Sequence, residues 1–89
     1  MISQPETVLA AVIMSDQVFP LWKELTVADQ HGLILALTSS DFMNLQDYWD
    51  DHPEDQHRQG CIEIGSAIVL KCIAWLTVNG GPLRPPYNF

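Results

Sequence analysis

The chain reads as an all-α domain of four to five helices, the last the longest, assembled as a dimeric helical bundle. Three observations predict this. Helix-start patterns, with a capping residue followed three places later by an acid, recur at Ser3-Gln4-Pro5-Glu6, Thr26-Val27-Ala28-Asp29 and Asp51-His52-Pro53-Glu54. A helix stop is written at Asn79-Gly80, with Pro82 beyond it. Between the last start and that stop, residues 62–78 are apolar on nearly every face, broken only by Glu63 and Lys71.

Taken in order, the first start predicts a helix that buries Val8, Leu9, Val12 and Ile13 and ends before Pro20, whose ring disfavours helix at Phe19. Pro20 then suits the first turn of a short segment over 21–25. Thr26 opens a second helix to Leu37, with Val27, Ile34 and Leu35 sharing a stripe; Gly32 weakens it by up to ~1 kcal/mol relative to alanine. Ser39 and Ser40 cap a third, in which Phe42, Leu45 and Trp49 fall at i, i+3 and i+7 with acids on the other face.

The last helix, 54–79, is the clearest element and raises a geometric problem. Its 26 residues reach ~39 Å at about 1.5 Å rise each, whereas a compact 89-residue domain is only ~31 Å across. Only a strip at Glu63, Ala67, Lys71 and Ala74 suits water, and a helix apolar all round must be buried all round. Either three short helices wrap it or a second copy covers part of it. The sequence favours the second, with Gly65, Ile68, Val69, Cys72 and Leu76 as the homodimer interface and Gly65 permitting close approach. The domain organisation is thus one helical domain over 1–79 and a Pro-rich tail over 80–89. In that tail Pro82-x-x-Pro85 matches a minimal proline-recognition motif, and Leu83, Tyr87 and Phe89 suit a strap that docks on the domain.

Charge is distributed unevenly. Residues 1–55 hold ten of the eleven acids against one base, Lys23, while 56–89 hold Glu63 against Arg58, Lys71 and Arg84. A net charge of −7 with four bases excludes the clustered Lys and Arg that direct nucleic-acid or anionic-membrane binding needs. The apolar run 8–14 lacks a basic leader and follows Glu6, so it is a core helix and not a signal peptide. Residues 62–78 fall short of the ~20 apolar residues of a membrane span. Cys61 and Cys72, ~16 Å apart on one helix, cannot pair with each other and suit a reduced, cytoplasmic core.

Five acids crowd into nine residues, Asp47, Asp50, Asp51, Glu54 and Asp55, interleaved with Tyr48, Trp49 and His52. Their spacing would place all five on one helical face, but Pro53 breaks a continuous helix, so they flank a corner between two helices. Capping accounts for Asp51 and Glu54 and leaves the others unexplained. The surface suits a basic partner: carboxylates meet Lys and Arg, and Tyr48 or Trp49 supplies an apolar or cation–π anchor. Glu54-x-x-His57 has the spacing of di-metal helical proteins, with Asp50, Asp51, His52 and Cys61 nearby, but only one copy is present. No HExxH, paired CxxC or calcium-loop motif occurs, and no glycine-rich phosphate loop precedes a helix. No metal, cofactor or catalytic set is therefore expected.

Residues 50–83 carry Asp50-Asp51-x-Pro53-Glu54, then Trp75 with its isoleucines, then Asn79-Gly80-x-Pro82. In these residues the chain resembles the last helix of nuclease-colicin immunity proteins, which are also short, acidic and helical. The likeness needs a large shift between its two parts. Tyr48-Trp49 stand where that family has paired tyrosines, and residues 1–46 have no counterpart, so the chain is not assigned to it.

The expected function is a small acidic interaction module, a non-enzymatic regulator or inhibitor of the phage or plasmid type, or a mimic of nucleic-acid charge. It would bind a basic surface of another protein through Asp47, Tyr48, Trp49, Asp50, Asp51, Glu54 and Asp55. Two alternatives remain open: an assembly subunit oligomerising through 54–79, and a metal-dependent helical protein using Glu54 and His57.

Overall fold

The computed structural model describes residues 7–38 and 42–80. The expected caps at Ser3, Glu6, Ser39 and Ser40, and the tail over 81–89, lie outside these residues. Among the described residues there are five helices and no strand: α1 (Val8–Ile13), α2 (Phe19–Trp22), α3 (Val27–Thr38), α4 (Phe42–Asp51) and α5 (Asp55–Asn79).

Helix α1 is capped by Thr7, whose Oγ1 accepts from the Ala10 amide at 3.1 Å. The next free amide, on Val8, donates to Gln46 Oε1 of α4 at 3.0 Å, so a second helix completes the cap. Val8 and Val12 are fully buried. The chain leaves α1 through a turn in which Ser15 Oγ donates to the Val12 carbonyl at 2.7 Å and lies 3.5 Å from the buried Ser66 hydroxyl of α5. Helix α2 is a single turn with Pro20 inside its first turn, where the missing amide costs nothing.

Helix α3 starts as the sequence predicts, with Thr26 Oγ1 accepting from the Asp29 amide at 3.1 Å. Its buried face differs from the expected one. Val27 and Leu35 are about two-thirds exposed, Ile34 is half-buried, and Leu33, Ala36 and Leu37 enter the core instead. Seven apolar residues spread over all sides of this helix, so their spacing does not single out one stripe. In α4 the expected face is the observed one: Phe42 and Trp49 are buried and Leu45 packs beside them.

Helix α5 ends at Gly80, whose φ of 64° is the left-handed stop that the sequence announces. Its start is one residue later than expected and is capped differently. Asp51 closes α4, and the N-cap position is Glu54, with no side-chain capping bond. At about 1.5 Å per residue its 25 residues span ~37 Å, which matches the 38 Å long axis of the 38 × 25 × 22 Å molecule. The length problem is met by an elongated shape.

Helices α1 and α4 pack along one side of α5. Cys61, Gly65, Ser66, Val69, Cys72, Ile73 and Leu76 form its buried face, recurring at the helical spacing of three and four. Full burial of an aliphatic or aromatic side chain here contributes roughly 1.5–3 kcal/mol. The residues expected at a dimer contact lie on or beside this face. Gly65, Val69, Cys72 and Leu76 are covered by the chain's own helices, and Ile68 is half-buried against the same core. Gly65 does serve close approach, but to Val12 and Phe42 within one chain. The opposite strip, Glu63, Ala67, Lys71 and Ala74, is exposed as expected, together with Ile64 and Val78. By length and composition alone α5 could cross a membrane, with a mean hydropathy of 1.8 over its most apolar window.

Candidate functional site

The corner between α4 and α5 is built by Pro53. Its ring cannot follow Trp49 through another helical turn, so α4 stops at Asp51 and the chain turns through His52, Pro53 and Glu54 into α5. All five acids of the cluster, Asp47, Asp50, Asp51, Glu54 and Asp55, are exposed. The structure thus brings them together on one corner.

Capping explains less of this cluster than the sequence suggests. Acids stabilise helix N-termini and oppose C-termini. Glu54, at the N-cap position of α5, and Asp55, in its first turn, have the favourable placement. Asp47, Asp50 and Asp51 occupy the last turns of α4, which carry no basic residue to offset the negative end of the dipole. Asp50 Oδ1 accepts from Gln46 Nε2 at 3.0 Å, which links the corner through Gln46 to the N-terminus of α1. Asp47 and Asp51 face solvent.

The two neighbouring aromatics diverge. Tyr48 is 42 % exposed and stacks on His52, with ring centroids 4.0 Å apart and planes 14° from parallel. Trp49 is only 3 % exposed and turns into the core. The Arg58 guanidinium lies 4.7 Å over its ring, so the cation–π contact expected with a partner is made inside the chain. Trp49 Nε1 is buried without a hydrogen-bond partner among the described residues. Of the two aromatics, Tyr48 is the accessible one.

His57 completes the corner. Its Nδ1 donates to Glu54 Oε1 at 2.8 Å, and this bond holds the Glu54 carboxyl below its ordinary value of 4.5. The His52 Nδ1 bonds the Tyr48 carbonyl at 3.1 Å, which requires the proton on that nitrogen. The two imidazoles meet edge to face at 5.1 Å. The Glu54–His57 pair exists as its spacing implies, yet among the described residues no three His, Cys, Asp or Glu side chains converge. Asp50, Asp51, His52 and Cys61 do not close around it.

Beside the corner, α4 and α5 leave a half-open groove of about 320 Å³, lined by Leu45, Tyr48, Gln56, His57, Cys61 and Ile64 among others. It is mostly apolar, and sequence reasoning missed it because its walls come from two helices at i, i+3 and i, i+4 positions that look unremarkable singly. Cys61, at its floor, is buried; its thiol donates to the Leu45 carbonyl at 3.8 Å and desolvation raises its pKa. A protonated, hydrogen-bonded thiol is a poor nucleophile, and His57 is already engaged by Glu54. The arrangement can present carboxylates, a phenol ring and an apolar slot. No family model, curated protein or solved structure matches this chain.

Proposed function

We propose that the protein is a small, non-enzymatic interaction module, a regulator or inhibitor that binds a basic surface of another protein through the α4–α5 corner. The observation that supports it best is the position of Asp47, Asp50 and Asp51. Three exposed acids in the last turns of a helix, with no base in the same turns, oppose the dipole and repel one another. Such a placement works against stability and serves recognition. Asp55 and Glu54 extend the same surface around Pro53.

On this reading Lys and Arg of the partner meet the carboxylates, and an apolar or aliphatic group fills the groove beside Tyr48 and Ile64. Charge at the rim steers approach, and a buried anchor holds the complex. This refines the expected set: Trp49 supports the corner from within the core, and Tyr48 takes the contact role. The test is affinity capture from the native host, with quantitative mass spectrometry, comparing the natural chain with an Asp47→Lys, Asp50→Lys, Asp51→Lys variant. The reading expects a basic protein enriched by the natural chain and lost with the variant. Equal recovery by both chains, or a partner with no basic surface, would move the interface elsewhere.

A further inference from the structure

We infer that the outward face of α5 is a self-association surface that takes a second copy of this chain in antiparallel orientation. The face borders the groove of the acidic corner at Ile64, and its argument does not depend on that reading. It lies opposite the residues that α1 and α4 cover. Ile64, Ala67, Lys71, Ala74 and Val78 are all exposed, Ile64 by 55 % and Val78 by 83 %. Their spacing of three, four, three and four is a heptad seam, the repeat that keeps one helix face against another. Two small residues at its centre, Ala67 and Ala74, let a second helix approach.

The charges on this face identify the occupant. Beyond Arg58, α5 carries two charged side chains, Glu63 and Lys71, both exposed and of opposite sign. Neither is in an ion pair with another described residue. They stand four residues before and four after Ala67, on one continuous ridge of the helix. A two-fold axis at Ala67 sets two such ridges antiparallel. Lys71 of one copy then stands level with Glu63 of the other, and the reverse pair forms at the same time. The two charges are self-complementary about Ala67, as a symmetric interface requires of a single surface. A parallel pairing would place like charges opposite and is disfavoured.

The experiment is multi-angle light scattering over a micromolar concentration series, with circular dichroism as the control for folding. The natural chain should report twice 10.0 kDa. Lys71→Glu and Glu63→Lys each turn both pairs into like charges and should weaken dimerisation by at least about tenfold. The double exchange Glu63→Lys, Lys71→Glu restores both pairs and should recover the dimer. Ala67→Arg, which fills the crossing point, should give a monomer. A natural chain that stays at 10.0 kDa overturns the inference, and if it also co-floats with neutral phosphatidylcholine vesicles the face belongs to a lipid surface. Dimerisation that survives the single reversals and Ala67→Arg overturns it too, by assigning the dimer to another face.

Discussion

Gly65 of α5 faces Val12 of α1 so closely that a Cβ on the glycine would lie 2.7 Å from Val12 Cγ2, with the Phe42 ring 3.3 Å away. Three helices meet at this point, and the absence of a side chain is what lets α1 lie against α5. Val12 is fully buried and cannot move aside freely. Gly65→Ala should therefore destabilise the fold by about 1–3 kcal/mol through overpacking, despite alanine's better helix propensity. Urea denaturation checks it. A gain in stability would mean that the α1–α5 contact is looser than described.

Tyr48 and Trp49 should separate cleanly on mutation. Trp49→Ala empties a buried site and should cost about 3–5 kcal/mol. Tyr48→Ala removes an exposed ring whose main contact is the stack on His52, so about 1 kcal/mol or less is expected. Equal losses would contradict the opposite orientations of these neighbours.

Reversing Asp50 and Asp51 to lysine should leave stability unchanged or raise it by about 0.3–1 kcal/mol, because lysine favours the C-terminal end of α4. Asp55→Lys should act in the opposite direction, since it places a cation in the first turn of α5. Thermal melts at low salt resolve the two signs.

The Glu54–His57 bond carries a pH signature. The folded-state pKa of Glu54 lies below its ordinary 4.5, so the stabilisation is present above that value and disappears as pH falls through the folded pKa. Glu54→Gln should lower stability near neutral pH, and its difference from the natural chain should shrink in acid below pH 4.5. A difference independent of pH would assign the effect to packing.

Both thiols should resist alkylation in the folded protein. Burial pushes Cys72 up to about 11 and raises Cys61 as well, so little thiolate is available at mildly alkaline pH. Labelling followed by mass spectrometry should show Cys72 reacting only as fast as the protein unfolds, and Cys61, at the floor of the groove, reacting more slowly than a free thiol.

Much of this fold is legible in the sequence, because local chemistry writes it. Thr26 caps α3, Phe42 and Trp49 mark the buried side of α4, Pro53 makes the corner and Gly80 stops α5, each through a backbone rule that needs no tertiary context. The buried side of α3 is not legible, and in α5 only the strip marked by Glu63 and Lys71 is. In α3, Val27 and Leu35 are as apolar as the buried Leu33 and Leu37. In α5 the outward Ile64 and Val78 match the inward Val69 and Ile73, so hydropathy offers no contrast between faces. Gly65 signals close packing without saying which helix approaches. The acids of the corner could be read from spacing, whereas the Arg58 guanidinium over the Trp49 ring, nine residues and one helix away, could not.

The central claim, that the corner recognises a basic partner, is tested most directly by the association rate. Once capture supplies the partner, stopped-flow or biosensor kinetics should be recorded for the natural chain and the Asp47, Asp50 and Asp51 reversals across ionic strength. The account predicts an association rate that falls steeply with salt, because exposed charges are screened over about 8 Å at physiological ionic strength. It also predicts that each reversal slows association far more than it speeds dissociation. An association rate that is indifferent to both salt and the reversals would contradict it.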